Sequence, residues 1–326
     1  MKAAILSGFG DPAVLVARDV AEPRDEAGWV TVDLKAAALN WHDVLVRRGN
    51  YSSPLPHVPG ADGSGIRRDN GQPVVILPSL FWGDSQDAPS GVFEILGDRV
   101  PGTYAECVSV PIECTAPVPM GWSMEQAAGL SLAGVTAFRA LVSRAGLSAG
   151  ESLLVVGAGG GISTFAVNLA TGLGATAFVT GSSDAKIARA CDGGAVAGVV
   201  HSGADWGERA RALSPGGQGF DVVLDPVGLW DKSIRALRPG GRMVVLGANA
   251  ADRTAMDVRS FFFGQYNLLG TTMGSPADFQ GLLNAVAQGA LRPPAVAATF
   301  PLEKAADAHR TMEAGAHFGK IVLTME

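Results

Sequence analysis

The stretch Val155-Val156-Gly157-Ala158-Gly159-Gly160-Gly161-Ile162-Ser163 has the residue types and spacing to hold a phosphate. An apolar run enters it, glycine dominates the turn, and a segment with helical spacing leaves it. Gly157 suits the tight turn. Gly159, Gly160 and Gly161 let the main chain approach a pyrophosphate with no Cβ in the way, and the free N–H groups of a helix starting near Ile162 favour an anion. Where the common pattern closes on glycine, this chain has Ser163, whose small side chain can lie against the strand or donate a hydroxyl. Such a run has a purely structural reading as a turn. Its place at the first strand-turn-helix of an alternating series favours a dinucleotide.

The tip of the next strand bears on which dinucleotide. An NAD site places Asp or Glu there, about 20 residues on, to hold the ribose 2′-hydroxyl. Here the tip reads Gly181-Ser182-Ser183, Asp184 suits a helix N-cap, and Lys186 follows one turn later. Two hydroxyls and an ammonium accept a 2′-phosphate that an acid would repel, so the pattern favours NADP over NAD.

The elements that must position this loop follow from punctuation and period. Up to about residue 122 the runs are short, β-like and broken by Pro and Gly, with one helix near Trp41–Arg48, as in an antiparallel, barrel-like domain. From Ser123, a plausible N-cap, apolar strands alternate with helical segments. "SLLVV", "ATAFVT", "VAGVV", "FDVVLD", "GRMVVLG" and "NLLGTT" make six strands, the count for two mononucleotide-binding halves of a parallel sheet. After about residue 275 the pattern predicts a return to the first domain. The expected division is therefore 1–122, 123–275 and 276–326, an α/β chain with a doubly wound Rossmann sheet inserted in a β-rich domain.

The 326 residues allow two domains, and the apolar fraction of 47% suits a well-packed protein. A formal charge of −6 without a dense basic cluster argues against nucleic acid. No apolar run approaches about 18 residues and the N-terminus lacks a secretory pattern, so the expectation is a cytoplasmic protein with no membrane partner. Cys107, Cys114 and Cys191 have no metal or disulfide spacing and read as small apolar residues.

The segments "ALNWHDVLVRRGNY", "PHVPGADGSG", "GTYAECVSVP", "LAGVTAFRALV", "VVGAGGGIS", "DVVLDPVG", "ALRPGGRMVVLG" and "HFGKIVL" together resemble the medium-chain dehydrogenase/reductase superfamily. The likeness is nearest to its zinc-independent, quinone-oxidoreductase-like branch, which includes members labelled zinc-type alcohol dehydrogenase-like. It covers nearly the whole chain in order and implies a GroES-like domain, a Rossmann domain and a C-terminal return. It also implies that Asn40 and Tyr51 line the cleft beside the nicotinamide. Thr136 would touch the nicotinamide end, Gly247 and Ala248 would run beside the cofactor, Thr271 to Met273 would meet the carboxamide, and Asp225 would lie near the ribose. Homodimers or homotetramers are implied through the edge strand "NLLGTT".

The chain departs from the zinc enzymes of that superfamily. Asn40 stands where they have a first Cys ligand, Gly60-Ala61-Asp62 replaces Gly-His-Glu, and the third ligand has no counterpart. The lobe that carries four cysteines in zinc members has none here. His42 and His57 lack a third partner and read as structural or surface residues. No metal is expected. Without a Lewis acid, alcohol oxidation gives way to hydride delivery from NADPH to a quinone or α,β-unsaturated carbonyl, with Asn40 and Tyr51 as candidate catalytic residues. Trp41, Tyr51, Phe81, Trp82, Phe93 and Phe263 are candidate walls for a flat ligand, or core filler. The alternatives are an NAD(P)-dependent alcohol dehydrogenase and a non-catalytic NADPH-binding sensor or structural protein.

Overall fold

Strand β1 (Lys2–Leu6) pairs antiparallel with β2 (Leu15–Asp19) in the computed structural model, which describes residues 1–24 and 26–325. There follow β3 (Trp29–Ala38), helix α1 (Trp41–Arg48), β4 (Asp62–Arg67) and β5 (Pro73–Ile76). The short pair β6 (Ser79–Leu80) and β7 (Glu94–Ile95) precedes β8 (Cys107–Pro111), β9 (Thr115–Pro117), α2 (Met124–Ala128) and α3 (Ser131–Phe138). The alternating half contains β10 (Ser152–Val155), α4 (Gly161–Gly172), β11 (Thr176–Gly181), α5 (Asp184–Asp192), β12 (Gly198–Val200) and α6 (Trp206–Leu213). It continues through β13 (Phe220–Asp225), α7 (Trp230–Ser233), β14 (Leu237–Val245), α8 (Val258–Phe263) and β15 (Asn267–Gly270). The tail is α9 (Pro276–Ala287), β16 (Val296–Pro301), α10 (Ala305–Ala314) and β17 (Lys320–Thr324).

Two sheets organise these elements. Six parallel strands run β12-β11-β10-β13-β14-β15, the doubly wound order with its switch point between β10 and β13. Val222, Val223 and Leu224 in β13 are fully buried because helices cover both faces, which is why the run is apolar without alternation. Phe178, Trp206, Phe220 and Met243 pack with these strands into one core. The other sheet runs β16-β17-β3-β4-β5-β9, with β8 also on β3. The tail joins it by pairing Val322 with Ala38, Leu323 with Ala37 and Thr324 with Ala36.

One compact unit comprises Met1–Val135, Ser275–Leu283 and the chain from Pro293; the other comprises Thr136–Gly274 and Asn284–Arg292. The first break thus falls at Val135 rather than at Ser123. Ser64 Oγ donates to Met124 O at 2.7 Å and Ala128 packs with Ala36, Ala38 and Val322, so α2 belongs with β3 and β4. In the tail, Arg292 donates to Gly193 O at 2.9 Å, and a Cβ at Gly172 would stand 2.0 Å from Ala290 O. No described helix is long and apolar enough to cross a membrane.

Candidate functional site

In the alternating unit the glycine-rich turn leaves a cradle. Gly157 (φ +87°) donates its N–H to Thr180 Oγ1 at 3.1 Å, and a Cβ there would stand 2.8 Å from Val227. Gly159 has φ +104°, a conformation that side chains disfavour. Gly160 is different: its φ of −73° suits any residue, and a Cβ would meet nothing within 4 Å. Open space therefore lies before the N-terminus of α4. No side chain caps that helix, so the N–H groups of Gly161, Ile162 and Ser163 have no acceptor among the described residues. Ser163 is buried.

At the tip of β11, Gly181 accepts the N–H of His201 at 3.0 Å, which holds the ends of β11 and β12 together. Ser182 and Ser183 are exposed, and Ser183 Oγ caps α5 by accepting from Lys186 N at 3.4 Å. His201 Nδ1 lies 2.9 Å from Thr180 Oγ1. Burial and then the Lys186 charge hold its imidazole below the ordinary histidine range.

Asp225, at the end of β13, has its carboxylate fully engaged. Its Oδ1 accepts the N–H groups of Val227 (2.8 Å) and Gly228 (2.9 Å), and its Oδ2 accepts Leu229 N (2.9 Å) and Ser233 Oγ (2.7 Å). Four donors fill a carboxylate, so this side chain holds its own turn. Gly247 needs its φ of +73°, and a Cβ there would approach Pro226 O to 2.7 Å; Ala248 beside it is exposed. Thr271 Oγ1 is buried without a partner among the described residues, and Met273 adopts φ +42°. Thr136 is buried on α3. The open cradle, the uncapped helix and the orphaned Thr271 hydroxyl fit a dinucleotide, which the residues from Gly157 to Ser163 would hold by its phosphates.

The β-rich unit builds a buried ionic cluster. Asn40 caps α1, and its main-chain N–H donates to Asp43 Oδ2 at 2.7 Å. Its side chain is held at both ends: Oδ1 accepts from Lys320 Nζ at 2.6 Å, and Nδ2 donates to Asp62 Oδ2 at 3.0 Å. Asp62 Oδ2 also meets Lys320 Nζ at 3.2 Å, while its Oδ1 accepts Leu132 N at 2.7 Å. Lys320 is 2% exposed and Asp62 0%. A metal dication needs lone pairs converging at about 2–2.3 Å. At this place an ammonium already holds the Asn40 oxygen, and Ala61 offers no donor. These residues do not fit zinc, and no group of three His, Cys, Asp or Glu among the described residues could hold a metal.

A second chain of buried groups runs from α1 to α10. The Tyr104 hydroxyl donates to Asp43 Oδ2 at 3.3 Å and lies 3.2 Å from His309 Nε2. Burial, only partly offset by His42 and the Asn40 N–H, pushes Asp43 up to about 6. Burial and the Arg47 charge push His309 down to about 3. Tyr51, more exposed, sets its ring 4.7 Å from that of His42 at a tilt of 56°, and His42 Nε2 is 2.7 Å from Asp98 Oδ1. His57 instead bonds Gly97 O at 2.9 Å. Of the candidate walls, Trp82 is buried edge-on against Phe93 and Phe81 packs on Trp29, whereas Phe263 is exposed on α8.

Neither the Lys320 nor the Asp98 contact is visible in local sequence, since Lys320 is 280 residues from Asn40 and Asp98 is 56 from His42. The available signal was a charge inside a pattern of buried strands: Lys320 opens "KIVLT" and Asp62 opens "DGSGIR".

Residues 173–323 match the family described as zinc-binding dehydrogenase, and residues 26–120 match the alcohol dehydrogenase GroES-like domain. The rat quinone oxidoreductase is 29% identical over all of this chain and 98% of its own. A spectinabilin polyketide synthase protein of Streptomyces orinoci is 35% identical over 91% of this chain, which spans only 13% of that protein's length. A solved NAD-dependent alcohol dehydrogenase is 36% identical with a TM-score of 0.93, each chain fully covered. A mycobacterial protein solved with NADPH has a TM-score of 0.85 at 26% identity, again over both whole chains.

Proposed function

The chain belongs to the medium-chain dehydrogenase/reductase superfamily of oxidoreductases, which bind a nicotinamide cofactor, and from that premise we propose an NADPH-dependent, zinc-independent reduction of quinones or α,β-unsaturated carbonyls. The observation that carries this reading is the Lys320 ammonium bonded to Asn40 and Asp62, in the place where zinc relatives by resemblance gather their ligands. With no donor set for a Lewis acid among the described residues, the metal route to ionising an alcohol near neutral pH is not provided. A conjugated acceptor needs less, because the charge left by hydride addition spreads along the conjugated system.

The bound nicotinamide supplies the hydride. The chain's own residues bind and orient. Gly157, Gly159, Gly160, Gly161, Ile162 and Ser163 hold the pyrophosphate; Thr136, Gly247, Ala248, Thr271 and Met273 flank the nicotinamide half; Asn40 and Tyr51 border the acceptor. For the 2′-phosphate, Gly181, Ser182, Ser183 and Lys186 offer hydroxyls, N–H groups and a cation with no carboxylate at the strand tip, which favours NADPH over NADH. Asn40 acts here by shape and by fixing the start of α1, since both ends of its amide are already bonded.

The test is NADPH consumption by the purified chain, in a chelating buffer, against a panel of model quinones and enones, with NADH run beside it. Turnover unaffected by the chelator and faster with NADPH is the expected result. Silence across both acceptor classes, with NADPH still quenching intrinsic fluorescence, would leave a binding protein and overturn the proposal.

A further inference from the structure

Hydride addition to a conjugated acceptor leaves an anion on the substrate, and a proton must follow. Asn40 cannot deliver one. Tyr51 is a weak acid whose hydroxyl burial and the Asp98 charge push above its ordinary value. His42 has the geometry for the task. It sits in the first turn of α1, two residues from Asn40, with Tyr51 across one face of its ring. Its Nε2 is fixed on Asp98 at 2.7 Å, and the two side chains are 11% and 12% exposed. Nδ1 makes no hydrogen bond among the described residues and is not among the fully buried unpartnered atoms, so it is the ring nitrogen left to meet a ligand. A carboxylate on one nitrogen and no hydrogen bond on the other is an arrangement that orients an imidazole and stabilises its protonated form.

We propose that His42, oriented by Asp98, is the proton donor of the reduction, which rests on the reading of this chain as a reductase of conjugated acceptors. Hydride bonds to the electrophilic carbon, the conjugated π pair moves onto the acceptor oxygen, and the His42 Nδ1–H bond breaks with its electron pair remaining on nitrogen. The proton goes to the enolate or hydroquinone anion. His42 is left neutral on Asp98 and takes its next proton from water.

The charged and titratable groups around it support this assignment. Burial pushes the imidazole down, but the Asp98 hydrogen bond and charge, with Asp43 from its own helix and Asp62 from β4, push it up further, so it ends above the ordinary histidine value. Tyr51 is a further titratable neighbour. The upward shift favours the protonated form that a donor needs, and activity falls as pH rises through its pKa.

The test uses His42→Gln, which keeps an N–H for Asp98 but has no proton to give. Its kcat for an enone should fall about 100-fold, within the usual range for a general acid, with NADPH affinity and urea stability within about twofold of wild type and partial rescue by added imidazole. In Asp98→Asn, the His42 titration followed by NMR on the free protein should move to lower pH, and the alkaline limb of the kcat profile should move with it. If wild type turns over and His42→Gln does so within threefold with an unchanged alkaline limb, the His42 role is refuted and the reductase reading stands. If wild type reduces neither acceptor class, the reductase reading falls and takes this role with it.

Discussion

Lys320→Met removes the ammonium from the buried Asn40–Asp62–Lys320 cluster while keeping most of the side chain's volume. Asp62 at 0% exposure then retains only the N–H groups of Leu132 and Asn40, and Asn40 Oδ1 loses its donor at 2.6 Å. Breaking a buried pair by removing one partner costs about 3–5 kcal/mol, since the remaining charge cannot reach water. Asp62→Asn leaves the Lys320 charge stranded and should cost a similar amount, whereas the double variant leaves no charge and keeps an oxygen for Leu132 N. The double variant should therefore fall short of the sum of the singles by about 2 kcal/mol or more in urea unfolding followed by tryptophan fluorescence. Additivity within about 0.5 kcal/mol, the behaviour of independent sites, would refute the ionic cluster, as would a Lys320→Met cost under about 1 kcal/mol. Because Asn40 opens α1, the single variants should also loosen the stretch that carries His42 and Asp43, read as faster amide exchange there.

Gly160→Val should fold as wild type, because its φ is ordinary and its Cβ meets nothing, yet abolish NADPH binding by filling the cradle; normal binding would mean that the loop has been misplaced. Ser163→Gly should change NADPH affinity by less than about tenfold, or ~1.4 kcal/mol, in the same fluorescence titration. Lys186→Ala should weaken NADPH by about tenfold and NADH by under twofold if its ammonium meets the 2′-phosphate; equal weakening would show otherwise. Acid stability should expose the buried pair: unfolding lets His309 bind a proton between its ordinary 6.5 and about 3, and makes Asp43 release one between about 6 and its ordinary 3.8, so the two cancel in the shared window. His309→Gln should then gain stability relative to wild type as pH falls from about 6 to 4, by up to roughly 3 kcal/mol, and an unchanged difference across that window would refute the assignment.

The alternating unit was legible because its information is local. Most strands are short apolar runs, Ser183 and Asp257 cap α5 and α8, and the phosphate turn is written in consecutive glycines, of which Gly157 and Gly159 take the positive φ that favours glycine. Boundaries were less legible. Nothing near Ser123 says that α2 will lie on β3 and β4, since that contact is made by Ala36, Ala38 and Ala128, whose small side chains look alike in any context. Asp225 shows a related blindness. The partners of an acid at the end of a central strand are not written beside it, and only the fold of the next eight residues, which aim four donors back at it, shows how its carboxylate is held.

The β-rich unit hides its chemistry for the opposite reason. Asn40, Asp62 and Lys320 come from three separated strand ends, and their meaning lies only in how β17 pairs with β3 and β3 with β4. Lys320 is two positions before Val322, which sits opposite Ala38, so the register that seats the tail on the sheet also brings the ammonium to Asn40. A one-residue slip would turn Lys320 to the other face and leave Asp62 uncompensated. The ionic cluster and the strand register thus enforce one another: the apolar pairing selects the face, and the buried charges penalise every alternative. That coupling explains how a β-rich unit assembled from distant segments keeps α1 fixed, and with it the residues from Asn40 to Asp43 on which the proposed chemistry depends.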